Sequence, residues 1–475
     1  MNPLAVLMPG FEGTTLPAWV ERRLREGMGG VCLFGTNVES PEQLRTLTDA
    51  IHAANPRAIV SIDEEGGDVS RLYQHAGSPF PGKAVLGRLD DASATQAVAA
   101  RVGAELRAVG VDLTLAPDVD VNSNPRNPVI GVRSFGTDPA LVARHADAWV
   151  RGVQSTGVSA CAKHFPGHGD TSADSHHALP VVDADEATVR TRELPPFAAA
   201  IAAGTDTVMT SHIMVPALDA DLPSTFSRPI LGGLLRDELG FDGVIVTDAL
   251  DMAGASAGRG IPAAAVLALA GGSDLLCIGT ANTDDQMGEI AAAIETAVVA
   301  GDLDPARLAD AERRCAGLGA RHAEVRAGEA PHLDTDASIV PAASVAGTFA
   351  VSDAARAALA ADRPRVWLRL EPAANMAVGA SPWGPFAAGA APAATLGPDG
   401  DPAAFAAAVP AGALAVIVGK DNHRHPWALD AIRAVRERGE AVVVDMGWPG
   451  DEAADIATYG ASRLVGAALL ELIGQ

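Results

Sequence analysis

The chain has few basic residues and no long uninterrupted apolar run. Lys and Arg number 35 against 59 Asp and Glu, a formal charge of −24 over 475 residues. Nucleic acids are held by clustered Lys and Arg, so this balance argues against a nucleic-acid partner, and it equally disfavours anionic membrane surfaces. No stretch approaches the roughly 20 uncharged apolar residues of a membrane-spanning helix. We therefore expect neither nucleic acid nor membrane as a partner.

Cysteines are also scarce, and the N-terminal residues do not resemble a secretion signal. MNPLAVLMPGFEG carries no basic segment and no apolar run of signal length. The four cysteines, Cys32, Cys161, Cys277 and Cys315, are far apart. Their spacing fits neither a zinc ribbon nor a disulfide framework, so we expect buried, reduced thiols. These features predict a cytoplasmic protein.

What the chain does contain is a regular alternation of short apolar runs and helical segments. Predicted strands cover residues 4–8, 30–34, 58–62, 111–115, 158–163, 205–209, 243–247 and 274–278. Predicted helices include 41–53, 92–108, 139–154, 186–202 and 284–300. Continuously apolar runs are typical of parallel strands buried on both faces, and eight βα units favour a closed barrel. We predict an α/β fold with an N-terminal (β/α)8 TIM-type barrel over residues 1–328.

A second, smaller domain is predicted beyond a polar segment. AGEAPHLDTDAS, residues 327–338, contains Pro331 and lacks periodicity, which indicates a linker. Apolar runs at 365–370, 414–418 and 441–444 then alternate with helical segments at 427–438 and 462–473. This pattern predicts a C-terminal α/β three-layer sandwich domain over 340–475. Its Ala-, Pro- and Gly-rich stretch at 373–402 is either a long loop or an eroded part of that domain. The motif GKDNHRHPW at 419–427 either reaches the cleft or forms a surface loop.

Ionisable residues follow several of the predicted strands. In a parallel barrel the carboxyl ends of the strands form one rim, where reactive groups belong. Buried charges are costly unless they are paired, so many of them at one rim indicate a binding or catalytic cleft. The strand-end residues are Asp63, Glu64, Glu65, Asp118, Asp120, Lys163, His164 and Asp248.

The loop after the fifth predicted strand, KHFPGHGDTSADSHHALP, contains four histidines. Asp174 and His176 are two residues apart, which places both side chains on one side of an extended backbone. A carboxylate there can accept from the imidazole N–H and raise the basicity of the ring. His176 is therefore a candidate proton shuttle, and the alternative is that these groups only stabilise the loop.

The same loop raises the question of a metal site. His164, His168, Asp174 and His176 offer nitrogen and oxygen ligands suitable for zinc. Proline and glycine separate the first two histidines, so the pair does not share a helical face as in zinc proteases. We predict no metal and no other cofactor.

Asp248 ends the apolar run GVIVT at the start of a loop. A barrel strand presents its last side chain toward the site from this position, where a carboxylate can serve as nucleophile in glycoside hydrolysis. A strand-end Asp is equally common as the N-cap of the next helix. The nearby histidine loop favours the catalytic interpretation.

Four sequence blocks together resemble a known enzyme family. They are IDEEGG at 62–67, NPVIGVRSFG at 127–136, KHFPGHGDTSADSH at 163–176 and GFDGVIVTDALDM at 240–252. In this order and at these strand ends, they are similar to the bacterial family 3 β-N-acetylhexosaminidases of the muropeptide-recycling type. The resemblance covers most of the chain up to residue 325 or so.

The resemblance implies retaining hydrolysis of terminal, non-reducing β-linked N-acetylglucosamine through a glycosyl-enzyme intermediate. Asp248 would be the nucleophile and His176 the general acid/base, oriented by Asp174. The substrate would be a small carbohydrate, either an N-acetylglucosamine-containing glycoside or a muropeptide of peptidoglycan recycling. The positions that match sugar-holding residues of the family are Asp63, Arg71, Arg133, Lys163 and His164.

Two positions depart from the family pattern, and two other functions stay open. Ala249 stands where members often have a second acidic residue after the nucleophile, and Asp68 stands where they often have a basic residue. A phosphorylase is one alternative, because a histidine base repels phosphate less than a carboxylate does. A catalytically inactive carbohydrate-binding protein is the other.

Overall fold

The computed structural model describes residues 1–172, 179–328, 339–374, 377–450 and 454–474. The chain folds into two compact units, each made of three segments. The first comprises Met1–Glu65, Ala92–Ser123 and Thr137–Ala337, and the second comprises Gly66–Asp91, Asn124–Gly136 and Ser338–Gln475. Residues 329–338 of the linker predicted at 327–338 lie outside the described residues, and the predicted division into 1–328 and 340–475 stays a prediction.

Eight short strands form the framework of the first unit, and each coincides with a predicted strand. They are β1 Leu7–Met8, β2 Gly30–Leu33, β3 Ile59–Ile62, β4 Leu113–Thr114, β5 Cys161–Phe165, β6 Thr207–Thr210, β7 Val244–Val246 and β8 Leu276–Cys277. All neighbours pair in parallel, in the groups β1–β8, β2–β3–β4 and β5–β6–β7. Parallel pairing with full burial explains why these runs are continuously apolar.

The predicted first strand is partly wrong, because Pro3–Val6 forms a 3₁₀ turn. The side chain of Asn2 accepts a hydrogen bond from the backbone N–H of Leu4 at 3.1 Å, and Pro3 fixes the first residue of the turn. Only Leu7 and Met8 remain extended. The local cap therefore outcompetes the strand propensity of the apolar run.

The helices up to residue 327 begin where the chain supplies capping residues. Ser40, Asp138 and Thr283 each accept a backbone N–H at a helix start, and proline follows the first two directly. The α-helices are α1 Ala18–Arg25, α2 Pro41–Ala54, α3 Lys83–Leu89, α4 Ala92–Ala108, α5 Pro139–Gln154, α6 Glu186–Thr188, α7 Leu194–Ala202, α8 Ala253–Ser256, α9 Ile261–Gly271, α10 Asp284–Ala300 and α11 Pro305–Ala327, of which α3 belongs to the second unit.

Two wider, π-helical turns occur at Val189–Glu193 and Pro229–Glu238. The first interrupts the helix predicted at 186–202 and joins α6 to α7. Pro195 and Pro196 lack the N–H groups that would complete an α-helical ladder there, and the N–H of Leu194 bonds to the carbonyl of Val189 five residues back.

The core of the first unit takes at least one side chain from each of the eight strands. Cys315 and Leu318 of α11 join it. The strand residues are Met8, Cys32, Ile59, Leu113, Cys161, Met209, Val244, Val246 and Cys277. All four cysteines are buried and free, as predicted. No helix in the described part of the chain is both long and apolar enough to cross a bilayer.

A six-stranded sheet organises the second unit. Its strands are β9 Ala350–Val351, β10 Arg365–Leu370, β11 Ala394–Leu396, β12 Leu414–Gly419, β13 Ala441–Asp445 and β14 Ile456–Ala457, in the spatial order β11-β10-β12-β13-β14-β9. Only β9 pairs antiparallel among these strands. The stretch at 373–402 contains β11 and a short helix, so of its two predicted alternatives the long loop is partly wrong.

Helices flank this sheet and bury its central strand completely. They are α12 Ala342–Ala346, α13 Asp353–Ala360, α14 Gly384–Ala387, α15 Pro402–Ala407, α16 Pro426–Arg438 and α17 Arg463–Ile473. Phe405 of α15 and Ile432 of α16 pack with Leu368 and Ile417 of the sheet in one apolar cluster. The second unit is therefore an α/β fold built on a mostly parallel sheet.

Candidate active site

Lys163 lies between two carboxylates that follow β3. Its Nζ is 2.8 Å from Asp63 Oδ1 and 2.9 Å from Glu65 Oε1. The Lys163 and Glu65 side chains are each 3% exposed, whereas Asp63 is 21% exposed. The structure thus joins two predicted sugar-binding residues in one charged group, of which Asp63 stays reachable from outside. Their role as sugar ligands stays a prediction.

Asp120 fixes His164, the next predicted site residue. Asp120 Oδ2 accepts from His164 Nδ1 at 2.7 Å, and Oδ1 accepts the backbone N–H groups of His168 at 2.6 Å and His164 at 3.3 Å. The Asp120 carboxylate is fully buried. With Nδ1 donating to Asp120, Nε2 of a neutral His164 is an acceptor, and in the imidazolium it is a donor. The contact with Asp120 therefore sets the tautomer of a neutral His164.

The same region holds the atoms best placed for a metal ion. Ligand atoms of Asp118, Asp120 and His164 lie within 4.8 Å of one another. Asp118 Oδ1 also accepts the backbone N–H of Asp120 at 3.0 Å. Both oxygens of Asp120 accept hydrogen bonds from the histidine segment, so this cluster positions His164.

Asp248, the predicted nucleophile, follows β7 by two residues and is partly exposed. Its Oδ1 accepts the backbone N–H of Ala249 at 2.8 Å. The carbonyl of Ala249 in turn accepts from Nε2 of buried His212 at 3.0 Å, and Nδ1 of that ring lies 2.8 Å from Thr225 Oγ1. His212 thereby holds the carbonyl of the same residue whose N–H orients the Asp248 carboxylate.

The charges of Asp63, Lys163 and Asp248 all reach one buried thiol. Burial raises the pKa of Cys161 to about 12; Lys163 opposes the shift, whereas Asp63 and Asp248 add to it. Cys161 lies at the start of β5, within the core below the strand ends. Asp63 follows β3, Lys163 lies within β5 and Asp248 follows β7, so each lies at or near the carboxyl end of a parallel strand.

Arg71 and Arg133 belong to the second unit. The Arg71 guanidinium donates to the carbonyls of Ala377 at 2.7 Å and Val378 at 3.1 Å, and the residue is 8% exposed. Arg133 is buried and donates to the carbonyl of Val129 at 3.1 Å. The segment at 377–378 thus holds Arg71, a contact that the sequence did not predict. The roles of both arginines as sugar ligands stay predictions.

Asp174 and His176, the predicted acid/base pair, lie outside the described residues. The preceding segment is described as far as Ser172. Within it, Thr171 Oγ1 lies 2.8 Å from Nδ1 of His168, and burial lowers the pKa of that histidine to about 4. His168 is therefore neutral near pH 7.

Glu65, Asp120 and His212 are site residues to which sequence reasoning assigned no role. The first two had a signal, because they are acidic residues directly after predicted strands. Only the structure shows that Glu65 pairs with the Lys163 ammonium and that Asp120 pairs with the His164 imidazole. His212 follows β6 by two residues, so its place at a strand end is the pattern that could have identified it.

Residues 17–318 match the family model described as the glycosyl hydrolase family 3 N-terminal domain. Beta-hexosaminidase A of Pseudoalteromonas piscicida is 42% identical over 266 residues, which cover 51% of this chain and 44% of that protein. The chain thus spans less than half the length of that relative. The beta-hexosaminidase of Alkalilimnicola ehrlichii is 38% identical over 284 residues, covering 58% of this chain and 80% of that one.

The fold is likewise similar to a solved structure over its whole length. A glycoside hydrolase family 3 beta-N-acetylglucosaminidase from Paenibacillus sp. superposes with a TM-score of 0.88 at 31% identity, covering 100% of this chain and 96% of that one. Since the family model also spans well over half of the sequence, the chain belongs to glycosyl hydrolase family 3.

Proposed function

We propose that this glycoside hydrolase removes terminal, non-reducing β-linked N-acetylglucosamine with retention of configuration. The observation that carries the proposal is the setting of Asp248. It is a partly exposed carboxylate just after β7, and its Oδ1 accepts the backbone N–H of Ala249. The hexosaminidase names of the relatives point to the same sugar.

In the proposed mechanism, Asp248 attacks the anomeric carbon and forms a glycosyl-enzyme intermediate. His176, oriented by Asp174, protonates the leaving oxygen and then activates water for the second step. Asp63, Arg71, Arg133, Lys163 and His164 hold the sugar hydroxyls and the acetamido group. The His164 Nε2 and the exposed part of the Asp63 carboxylate supply hydrogen-bonding atoms for this purpose.

We further propose that the eight strands of the first unit close into a (β/α)8 barrel. Support comes from contacts that join the three paired groups. Isolated parallel bridges link Leu113 to Ser159 and Val246 to Leu275, and the N–H of Cys32 bonds to the carbonyl of Pro9 at 2.9 Å. Together with the β1–β8 pairing, these contacts follow the strand order of a ring.

The proposed natural substrate is a muropeptide whose non-reducing end is N-acetylglucosamine. The tested substrate is simpler, an aryl N-acetyl-β-glucosaminide. Asp248→Asn should lower kcat/KM by about 10⁴-fold or more, because the nucleophile is lost. Asp242→Asn, an exposed change just before β7, is the matched control and should keep the wild-type rate.

Four measurements distinguish the outcomes. NMR of the first product should show the β-anomer, as retention requires. Near-normal turnover by Asp248→Asn would contradict the nucleophile assignment. Phosphate-dependent formation of sugar 1-phosphate would overturn hydrolysis in favour of phosphorolysis, and sugar binding without turnover by the wild type would show an inactive binding protein.

A further inference from the structure

Glu193 is a buried carboxylate to which the proposed mechanism gives no role. It ends the π-helical turn Val189–Glu193, and its side chain is 1% exposed. Oε1 accepts from Arg192 Nε at 2.5 Å, whereas Oε2 is buried and has no hydrogen-bond partner among the described residues. A buried carboxylate oxygen in this state costs free energy, so its presence here requires a reason.

The uncompensated oxygen of Glu193 lies against the histidine segment. A Cβ built on Gly167 would be 2.7 Å from Glu193 Oε2, 2.8 Å from its Cβ and 3.0 Å from its Cγ. Gly167 also has φ +132°, a conformation that other residues rarely adopt. The side chain of Glu193 and the backbone of Gly167 are therefore in direct contact, with room for glycine alone.

Arg192 extends the contact to the other end of the same segment. Its Nη2 donates to Asp170 Oδ2 at 2.6 Å while its Nε holds Glu193. Between these two points, a Cβ on Gly169 would be 1.7 Å from the carbonyl oxygen of Val121. The backbone at 167–170 is thus confined on one side by the Arg192–Glu193 pair and on the other by the chain after β4.

This confined segment connects two parts of the proposed active site. His164, whose ring Asp120 fixes, precedes it by three residues in the sequence. The predicted acid/base residues Asp174 and His176 follow Asp170 by four and six residues. A displacement of the backbone at 167–170 would therefore also displace the general acid. A misplacement of about 1 Å can cost about 100-fold in rate.

We infer that Glu193 is a positioning residue for the acid/base segment: it sets the backbone at Gly167 and, through Arg192, at Asp170. The inference rests on the proposed function, since it assigns the general acid to the residues that follow. It does not give Glu193 contact with substrate. Burial raises the pKa of Glu193 to about 7; Arg192 opposes this shift, and Asp120 and Asp170 reinforce it. The raised pKa agrees with a carboxyl group that is kept for its position rather than for its negative charge.

The test compares leaving groups, because protonation by a general acid matters most when the leaving alcohol is poor. The variants are Glu193→Ala, which removes the contact, and Glu193→Gln, which keeps its shape. For Glu193→Ala we expect kcat/KM to fall less than about 10-fold with the 4-nitrophenyl glycoside and about 100-fold with the phenyl glycoside. Glu193→Gln should restore both within about threefold, and its KM should match the wild type.

Two further variants make the result decisive. Glu105→Gln removes a carboxylate that also pairs with an arginine on its own helix, and it should leave the leaving-group dependence unchanged. If Glu193→Ala does not fold, Gly167→Ala tests the same contact from the other side and should show the same selective loss. Equal losses for both leaving groups, measured per folded molecule, would overturn the positioning role. Failure of the wild type to hydrolyse either glycoside would instead refute the proposed function.

Discussion

Replacing Lys163 by methionine should strongly destabilise the first unit. The ammonium is 3% exposed and neutralises Asp63 and Glu65 at 2.8 and 2.9 Å. Methionine keeps most of the side-chain volume but removes the ammonium group that lies between the two carboxylates. Breaking a buried ion pair costs about 3–5 kcal/mol, and most of this cost should come from Glu65, because Asp63 is better exposed to water. We expect the free energy of unfolding at pH 7 to fall by about this amount.

The assay is urea denaturation followed by far-UV circular dichroism at several pH values. The deficit should be largest at pH 7 and above, and it should shrink in buffers acidic enough to protonate the two carboxylates. The double variant Lys163→Met, Glu65→Gln removes the more deeply buried of the two negative charges, so it should recover most of the loss.

An exposed ion pair provides the control for this experiment. Arg151 and Asp147 pair across one helical turn with side-chain exposures of 52% and 38%. Arg151→Met should therefore leave the free energy of unfolding close to that of the wild type. A similarly small deficit for Lys163→Met, or a further loss on adding Glu65→Gln, would refute the argument that the triad is a compensated buried charge cluster.

Three other predictions concern the site and its surroundings. Asp120→Asn should lower kcat/KM for an aryl N-acetyl-β-glucosaminide by about 10- to 100-fold, because it weakens the hold on His164 and His168; a change under threefold would contradict this. Cys161, with its pKa raised to about 12 by burial, should not react with a thiol reagent at pH 8 unless urea is added, and rapid native labelling would contradict its burial. The third prediction concerns pH: burial raises the pKa of Glu193 from 4.5 to about 7, so the neutral form is favoured in the folded chain. The stabilisation by the neutral carboxyl group is complete below pH 4.5 and is lost as the pH rises through 7. Between pH 4.5 and 8 the free energy of unfolding of the wild type should therefore fall by about 3 kcal/mol relative to that of Glu193→Gln, and parallel pH profiles of the two proteins would contradict this.

Much of the fold could be predicted because its signals are local and strong. Parallel strands buried on both faces leave continuous apolar runs, and helices capped by Ser40, Asp138 or Thr283 begin at recognisable residues. The strands that were missed, β9, β11 and β14, have only two or three residues and contain alanine, so no periodicity could show them. Their position depends on pairing with distant strands, which a local pattern does not encode.

The candidate site likewise contains residues that the sequence could indicate and residues that it could not. Asp63, Lys163, His164 and Asp248 follow predicted strands, so their convergence could be expected from strand geometry. Glu193 could not be expected from that rule, because it lies in a helical segment. A weak signal existed, since Glu193 falls on the stripe of buried residues formed by Val189, Phe197 and Ala200. An acidic residue on such a stripe needs a partner that only the folded chain identifies.

The segmental make-up of the two units has a consequence for how this enzyme can be divided. The chain passes from one unit to the other five times, after residues 65, 91, 123, 136 and 337. A single cut near residue 337 would leave Gly66–Asp91 and Asn124–Gly136 attached to the first unit but separated from the sheet with which they fold. Arg71 would then lose the carbonyls of Ala377 and Val378 that hold it. The second unit therefore cannot be exchanged by replacing the C-terminal part alone. A chimaera must also replace the two upstream segments, Gly66–Asp91 and Asn124–Gly136, that belong to this unit.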